Sequence, residues 1–392
     1  MQATRRLFDE DAYRTSFTAT VLACEPVKKG FAVILDQTCF FPEEGGQTSD
    51  IGSLFVGEQR VAVRDAQVDK QNVIRHMVKN EIPAGTEVRG EIDWNKRFSD
   101  MQQHSGEHIL SGLIHSTFGY NNVGFHLSAN EVTLDLDGMM TPEQVEDIER
   151  RANEVVYRNL AVIAEYPSPE VLATLEYRSK IEIDGPVRIV TFPGVDVCAC
   201  CAPQVARTGE IGQIKIVRAA KYKSGIRLNI LCGARGLADA QRKQKQVEAI
   251  SAALSAKQEQ VAKAVDKLLD ETAKLKLELT ALNKQLAAGK AERIPEGTAN
   301  ACLFEAEMDK NAQRELVNLL TARCTGLCGV FVGSDDSGYR YIIGSAGPDA
   351  RVLNQQLKET CSARGGGSAE MVQGSLQATE QQLREIFAGL EA

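Results

Sequence analysis

Six apolar residues recur at intervals of seven, Val247, Leu254, Val261, Leu268, Leu275 and Leu282, in a stretch from Leu237 to Leu286 that holds neither glycine nor proline. An apolar residue every two turns with no breaker predicts a long helix. The companion positions carry Ile250, Val265 and Leu279, whereas Lys257 interrupts them. The spacing leaves open whether the segment is one rod or a helical hairpin, and whether its seam meets a second chain. A helix of this length divides the 392 residues, too many for one ordinary core, into parts that pack separately. The expected division is 1–95, 96–235, 236–290 and 291–392.

The first part reads as strands and turns. Phe17 to Ala23, Phe31 to Asp36 and Arg60 to Asp65 alternate or run apolar, and Gly45-Gly46-Gln47 and Asp50-Ile51-Gly52 mark tight turns. No helical period appears, so a small antiparallel, barrel-like unit is expected. Trp94 to about Phe118 has apolar residues at helical spacing and a stop at Gly119. Val132 to Leu136 alternates as a strand. Thr141-Pro142 starts a helix reaching about Leu160, and Val187 to Phe192, Ile214 to Val217 and Ile226 to Leu231 are further strands. Irregular interleaving of strands and helices predicts α+β rather than a doubly wound sheet. Beyond the Gly289 to Gly297 linker, strands at Cys328 to Phe331 and Tyr339 to Ile343 and a closing helix from Gln377 to Leu390 suggest a small α/β domain. Its landmark is the triplet Gly365-Gly366-Gly367, a turn by the ordinary reading, or a backbone that a ligand can approach closely.

The chemistry concentrates at His104 and His108, one helical turn apart, and at Cys198, Cys200 and Cys201 some ninety residues later. Two imidazoles on one helix face and a thiolate from a loop can take three corners of a zinc tetrahedron. Four residues after Cys200, where a fourth ligand would be sought, stands Gln204, a neutral amide and a poorer zinc ligand than imidazole. Cys198 and Cys201 compete with Cys200, since Cys198-x-x-Cys201 is itself a common half-site. His115, eleven residues from His104, lies roughly 16 Å further along the axis and cannot join the same ion. Glu107 precedes the second histidine on a different face, unlike the acid of His-Glu-x-x-His proteases.

Net charge is −8, whereas a whole-molecule polyanion binder is normally basic, so local distribution matters more. Locally, Lys215, Arg218, Lys221, Lys223 and Arg227 open a basic stretch running to Lys245, either a phosphate contact or a solvated face. No apolar run reaches the roughly 18 residues of a membrane span, and the first residues lack the apolar core of a signal peptide. A cytoplasmic chain with reduced or metal-bound cysteines is expected.

Together these motifs resemble the free-standing alanyl-tRNA editing proteins, the AlaX family in its long form, which is similar to the editing region and tail of alanyl-tRNA synthetase. Cys39 through Gly52 resembles the family's Phe-Tyr-Pro-Glu-Gly-Gly-Gly-Gln motif, with Glu44 in place of the first glycine of the triplet. His104-x-x-x-His108 matches the first zinc motif. Cys200 to Gln204, followed by Thr208-Gly209-Glu210-Ile211-Gly212, aligns with the second, where the family has Cys-x-x-x-His. Gly225-Ile226-Arg227 resembles a strand motif, and the glycine triplet resembles the DHHA1-type tail used for tRNA contact and association. The resemblance implies a β-barrel, an α+β editing domain holding zinc through His104, His108, Cys200 and Gln204, a coiled-coil-like segment and a tail domain. It implies hydrolysis of Ser-tRNA(Ala), or Gly-tRNA(Ala), with Gln47, Asp50 and His126 lining the site. tRNA would be held by the basic strand and by Gly365, Gly366 and Gly367, and a homodimer would form through the helix or tail. The alternative is a relative that binds tRNA, or a partner, without hydrolysis. Gln204 and Glu44 are the residues that favour it.

Overall fold

The structure, a computed structural model, describes residues 2–129, 131–179 and 185–390. It divides into two compact units, residues 1–246 and 247–392.

The first unit opens with six antiparallel strands, β1 (Ser16–Val27), β2 (Gly30–Leu35), β3 (Gly52–Val56), β4 (Gln59–Val68), β5 (Ile74–Val78) and β6 (Glu87–Ile92). They close into a barrel in the order β1-β2-β5-β4-β3-β6. Alternation drives it: along β4, Val61 and Val63 point into the core and Arg60 and Arg64 point out. His76 of β5 lies in this core, its Nδ1 3.0 Å from the Val33 carbonyl and its Nε2 2.8 Å from the Thr38 hydroxyl. The carbonyl can only accept, so Nδ1 carries the proton and Nε2 accepts from Thr38. Burial pushes its pKa down to about 4, against a lesser upward pull from the Val33 bond.

Helix α1 spans Trp94–Phe118. Asp93 caps its start by accepting from the Lys96 amide, and Gly119 ends it in the left-handed region at φ 73°. Every residue from Asp100 to Ile114 is buried. The helix packs among the barrel loops, a four-stranded sheet and a three-stranded one. The four-stranded sheet runs β12-β13-β8-β7, from β7 (Asn122–Leu127), β8 (Val132–Leu136), β12 (Ile214–Tyr222) and β13 (Gly225–Cys232). The three-stranded sheet runs β9-β10-β11, from β9 (Ile163–Glu165), β10 (Ile189–Phe192) and β11 (Asp196–Ala199). Gly112 lets the β10–β11 hairpin approach, since a Cβ there would sit 2.4 Å from the Val195 carbonyl oxygen. Helix α2 (Pro142–Tyr157) starts at Thr141 with a capping box.

The heptad stretch is two helices, not one. Helix α3 runs Gly233–Ala253, and helix α4 runs Val261–Glu292. Ser255 adopts φ 49°, and the chain resumes through a short 3-10 turn at Gln258–Gln260. The break falls beside Lys257, the residue that fails the seam pattern. A left-handed serine needs no glycine or proline, so composition gives no warning of it. Along α4, Leu268, Leu275, Leu279, Leu282 and Leu286 are all exposed.

The second unit closes on a five-stranded sheet, β14-β15-β16-β18-β17, built from β14 (Ala301–Glu305), β15 (Leu327–Ser334), β16 (Gly338–Ser345), β17 (Arg364–Gly367) and β18 (Met371–Leu376). Val330 and Val332 pack with α5 (Lys310–Thr321) and with Ala287 and Ala291 at the end of α4. Phe331, between them, packs on the opposite side with α6 (Ala350–Thr360) and α7 (Glu380–Ala388). The glycine triplet forms no turn: Gly365, Gly366 and Gly367 pair antiparallel with Gly374, Gln373 and Val372 as the exposed edge strand β17. Among the described residues no helix is long and apolar enough to cross a membrane.

Candidate metal centre

Helix α1 sets His104 and His108 one turn apart, their rings stacked at 5.4 Å and 19°. Phe125 of β7 flanks His104 at 4.7 Å, and Phe192 of β10 flanks His108 at 5.5 Å. The four rings exclude water from the sides of the pair.

Each imidazole is oriented through Nδ1. His104 Nδ1 lies 2.9 Å from the Gln47 amide oxygen, and His108 Nδ1 lies 3.0 Å from Asp196 Oδ2. Both partners are acceptors, so both Nδ1 atoms donate and both Nε2 lone pairs are left for another group. His104 Nε2 is 3.5 Å from Cys200 Sγ, while His108 Nε2 is buried with no hydrogen-bond partner. The ligand atoms of His104, His108 and Cys200 lie within 4.8 Å of one another. Zinc with nitrogen at about 2.0 Å and sulfur at about 2.3 Å separates the two by roughly 3.5 Å in a tetrahedron. The donor set, its spacing and the orphaned Nε2 therefore fit zinc.

The same groups also pair by charge. Burial pushes the Cys200 thiol up, but the facing His104 and His108 outweigh it and hold Cys200 well below the usual thiol range. Burial pushes His108 down, and the facing Cys200 charge with the Asp196 hydrogen bond raises it well above the usual histidine value. Cys201 behaves oppositely: burial and then the Cys200 charge raise it, and its sulfur lies against Gly45. Cys198 falls in a second group with His108 and Asp196. Of the three competing cysteines, Cys200 is the one that meets both histidines.

Gln204, where the motif suggests a fourth ligand, sits beside Cys200 and is held by hydrogen bonds. Its Oε1 accepts from the Ser105 hydroxyl at 2.6 Å, and its Nε2 faces the Ala202 carbonyl at 3.3 Å and Cys200 Sγ at 3.5 Å. The amide orientation follows from the Ala202 carbonyl, which can only accept, so the atom facing it is the amide nitrogen and the oxygen is left to the Ser105 hydroxyl. Gln204 thus reaches the centre as a hydrogen-bond donor to the sulfur.

The loop after the barrel motif supplies Gln47. Gly46, at φ 82°, permits the approach, since a Cβ there would sit 2.4 Å from the Phe125 carbonyl oxygen. Gln47 is fully buried, with its oxygen on His104 and no acceptor for its amide nitrogen. Asp50 is buried in an ion pair with Arg97 (Nε to Oδ2 3.1 Å) and accepts from Phe41 N at 2.7 Å. His126 is exposed on the face of β7 opposite Phe125, because neighbouring strand residues point apart. Glu44 pairs with Arg6 at 3.2 Å. Glu107 is buried among Ser111 and Asn122, and His115 is exposed, apart from the centre.

The basic strand is partly occupied. Lys215 pairs with Glu149 at 2.6 Å, and Arg227 grips Asp135 with two bonds while stacking 3.8 Å from the Tyr222 ring. Lys223 lies over the same ring, and Arg218 and Lys221 are exposed.

Reading the sequence missed Phe125, Asp196, Arg178 and Ser105. The alternation Asp196-x-Cys198-x-Cys200 carried a signal, placing an acid on the same strand face as the cysteines.

Two family profiles match the chain. One, described as tRNA synthetases class II (A), covers residues 14–96, and the other, Threonyl and Alanyl tRNA synthetase second additional domain, covers residues 187–229. The chain is 28% identical over 390 residues to the alanyl-tRNA editing protein Aarsd1 of Mus musculus, spanning 94% of this chain and 93% of that protein. It is 30% identical over 395 residues to the alanine–tRNA ligase of Pyrococcus abyssi, spanning 95% of this chain and 42% of the ligase. With Aarsd1 of Bos taurus the identity is 33% over 277 residues, 66% of this chain and 61% of that protein.

Proposed function

This chain belongs to the AlaX-like alanyl-tRNA editing proteins, and on that premise we propose that it hydrolyses mischarged tRNA(Ala), Ser-tRNA(Ala) first and Gly-tRNA(Ala) second, with zinc held by His104, His108 and Cys200. The observation that carries this reading is the convergence of those three ligand atoms, with both imidazoles turned by Gln47 and Asp196 to offer Nε2. When bound, zinc supplies Lewis-acid assistance or orients the substrate. The rest falls to this chain's own side chains. Water adds to the ester carbonyl carbon, the bond to the ribose oxygen breaks, and free amino acid and tRNA with a terminal hydroxyl leave. Gln47, with buried amide hydrogens that lack an acceptor, is assigned to the carbonyl oxygen as charge develops there and to the serine hydroxyl. A site that hydrogen-bonds a hydroxyl rejects the analogue lacking it strongly, which spares alanine. Phe125 and Phe192 keep the rings fixed and dry.

The tRNA body is assigned to Arg218, Lys221 and Lys223 on the four-stranded sheet and to the edge strand Gly365–Gly367, largely through phosphates. The exposed α4 seam is assigned to a second copy of the chain. The division into 1–95, 96–235, 236–290 and 291–392 and a cytoplasmic location remain part of the proposal.

Release of labelled amino acid from Ser-tRNA(Ala) and Ala-tRNA(Ala), with and without chelator, tests the reading. Chelator-sensitive release of serine alone is expected. Salt-sensitive tRNA binding with no release of either would replace the hydrolase by the binder.

A further inference from the structure

Behind His108 lies a buried assembly of which the reading above uses only the Asp196 bond to the imidazole. Asp196, 5% exposed, accepts from His108 Nδ1 through Oδ2. Its two oxygens also take two parallel bonds from Arg178, Nε to Oδ1 and Nη2 to Oδ2, both 2.8 Å. Arg178 is itself fixed by its backbone, which donates to the Val197 carbonyl at 2.9 Å and accepts from Ala199 N at 2.9 Å. The guanidinium is thus strapped to the strand that carries Asp196 and leads to Cys200. A planar fork with two parallel bonds sets the carboxylate's rotation as well as balancing its charge.

Asp196 could in principle be a metal ligand, since its carboxylate groups with His108 and Cys198. The two ring nitrogens argue otherwise. Asp196 occupies Nδ1, whereas the group with His104 and Cys200 needs Nε2 on the opposite flank of the ring. One imidazole therefore faces the carboxylate on one side and the ion on the other. Arg178 already holds both carboxylate oxygens, which keeps Asp196 a hydrogen-bond acceptor.

We propose that Arg178 and Asp196 are positioning residues for the metal, acting through His108: Arg178 sets the carboxylate, the carboxylate sets the tautomer and tilt of the ring, and the ring presents Nε2. The inference rests on the zinc reading above. It differs from a merely structural role because a structural pair would support the fold alike with and without metal.

The test measures zinc affinity of the full chain by competition with a fluorescent chelator for wild type, Asp196→Asn, Arg178→Lys and His108→Ala. The same proteins loaded with saturating Co(II) give d–d and thiolate charge-transfer spectra, and the stripped proteins give melting curves. Loss of an outer partner lowers metal affinity about 10- to 100-fold, so Asp196→Asn should fall in that range. Arg178→Lys, which keeps the charge but loses the fork, should lose less, and His108→Ala more than either. The Co(II) spectra of Asp196→Asn and Arg178→Lys should match wild type, because the ligand set is unchanged. Zinc binding by both variants within threefold of wild type would overturn the inference. So would a changed Co(II) spectrum in Asp196→Asn, which would make Asp196 a ligand. Should Asp196→Asn fail to fold, Arg178→Lys decides by the same two readouts. Wild-type protein that takes no zinc would overturn the metal reading itself, whereas unaltered variants of a zinc-binding wild type overturn only this inference.

Discussion

Helix α1 buries Arg97, Asp100, His104, Ser105, Glu107 and His108, while helix α4 exposes Leu268, Leu275, Leu279, Leu282 and Leu286. Each inverts the usual relation of polarity to burial, and in each the remedy is a partner. In α1 the partners come from elsewhere in the chain: Asp50 for Arg97, Gln47 for His104, Gln204 for Ser105 and Asp196 for His108. Successive turns of one helix thereby draw the barrel loop, the cysteine loop and the β10–β11 hairpin to a single place. The need to satisfy buried polar groups assembles the site. Along the exposed stretch of α4 the same requirement is unmet within its own unit, among the described residues, which leaves room for a partner from outside that unit.

The comparison breaks most sharply at Arg97. Removing one member of a buried ion pair leaves the other charged and unpaired, at a cost of about 3–5 kcal/mol. Arg97→Met should lose that much in urea unfolding, and adding Asp50→Asn should return part of it. A loss below about 1 kcal/mol in the single variant would show that α1 does not depend on its polar partners.

His76 applies the same rule inside the barrel. Its pKa is about 4 when folded, against about 6.5 unfolded, so the folded state favours the neutral ring. The sign follows: the contribution is complete above 6.5, shrinks as the unfolded chain takes up a proton below 6.5, and is gone by about 4. The amount is on the order of 3 kcal/mol. An NMR titration should find the Nδ1–H tautomer persisting through pH 5. A ring that protonates near 6.5 would sink the argument.

How much of this was legible in the sequence depends on whether a residue's partner lies near it in the chain. The α1 boundaries were readable because Trp94, Gly119 and the apolar spacing are local signals, and His104 and His108 because a four-residue step is one turn. The barrel was readable from alternation. Asp50 and His126 looked like site residues only because they sit in the right motif or strand. The structure pairs Asp50 with Arg97, 47 residues away, and the pleat turns Phe125 toward His104 and His126 outward, neither of which a local motif shows. The break at Ser255 was hidden because a left-handed serine has no compositional mark, though Lys257 flagged the neighbourhood.

Gln204 joins the two kinds of information, since the motif marks the position and Ser105 explains the amide. Gln204→His should tighten zinc on the order of tenfold, or ~1.4 kcal/mol, by replacing a donor to sulfur with a nitrogen ligand. Chelator competition reads it, and equal stripping of both proteins would show that position 204 does not face the ion.

The smallest expected change in folding comes from α4. Its seam runs Val265, Leu268, Leu275, Leu279, Leu282 and Leu286 in steps of three, four and seven, with Thr272 at the position between Leu268 and Leu275. All six apolar residues are exposed, Leu275 at 63%, so a charge there disturbs no packing within the chain. Leu275→Lys should therefore shift the unfolding free energy of the monomer by no more than about 0.5 kcal/mol. In a seam between two copies the same lysine would be buried against its symmetry mate, and sedimentation should show the dimer dissociating. The two readouts separate cleanly. A monomer destabilised by several kcal/mol would mean that α4 packs within its own chain after all, and the contrast with α1 would fail. Unchanged stability and unchanged association would leave the contrast standing and remove the second copy as the partner, turning the seam toward a different protein or the tRNA. Only stability held with association lost supports the pairing, and that outcome would make α4 the counterpart of α1: one helix completed by residues of its own chain, the other by its copy.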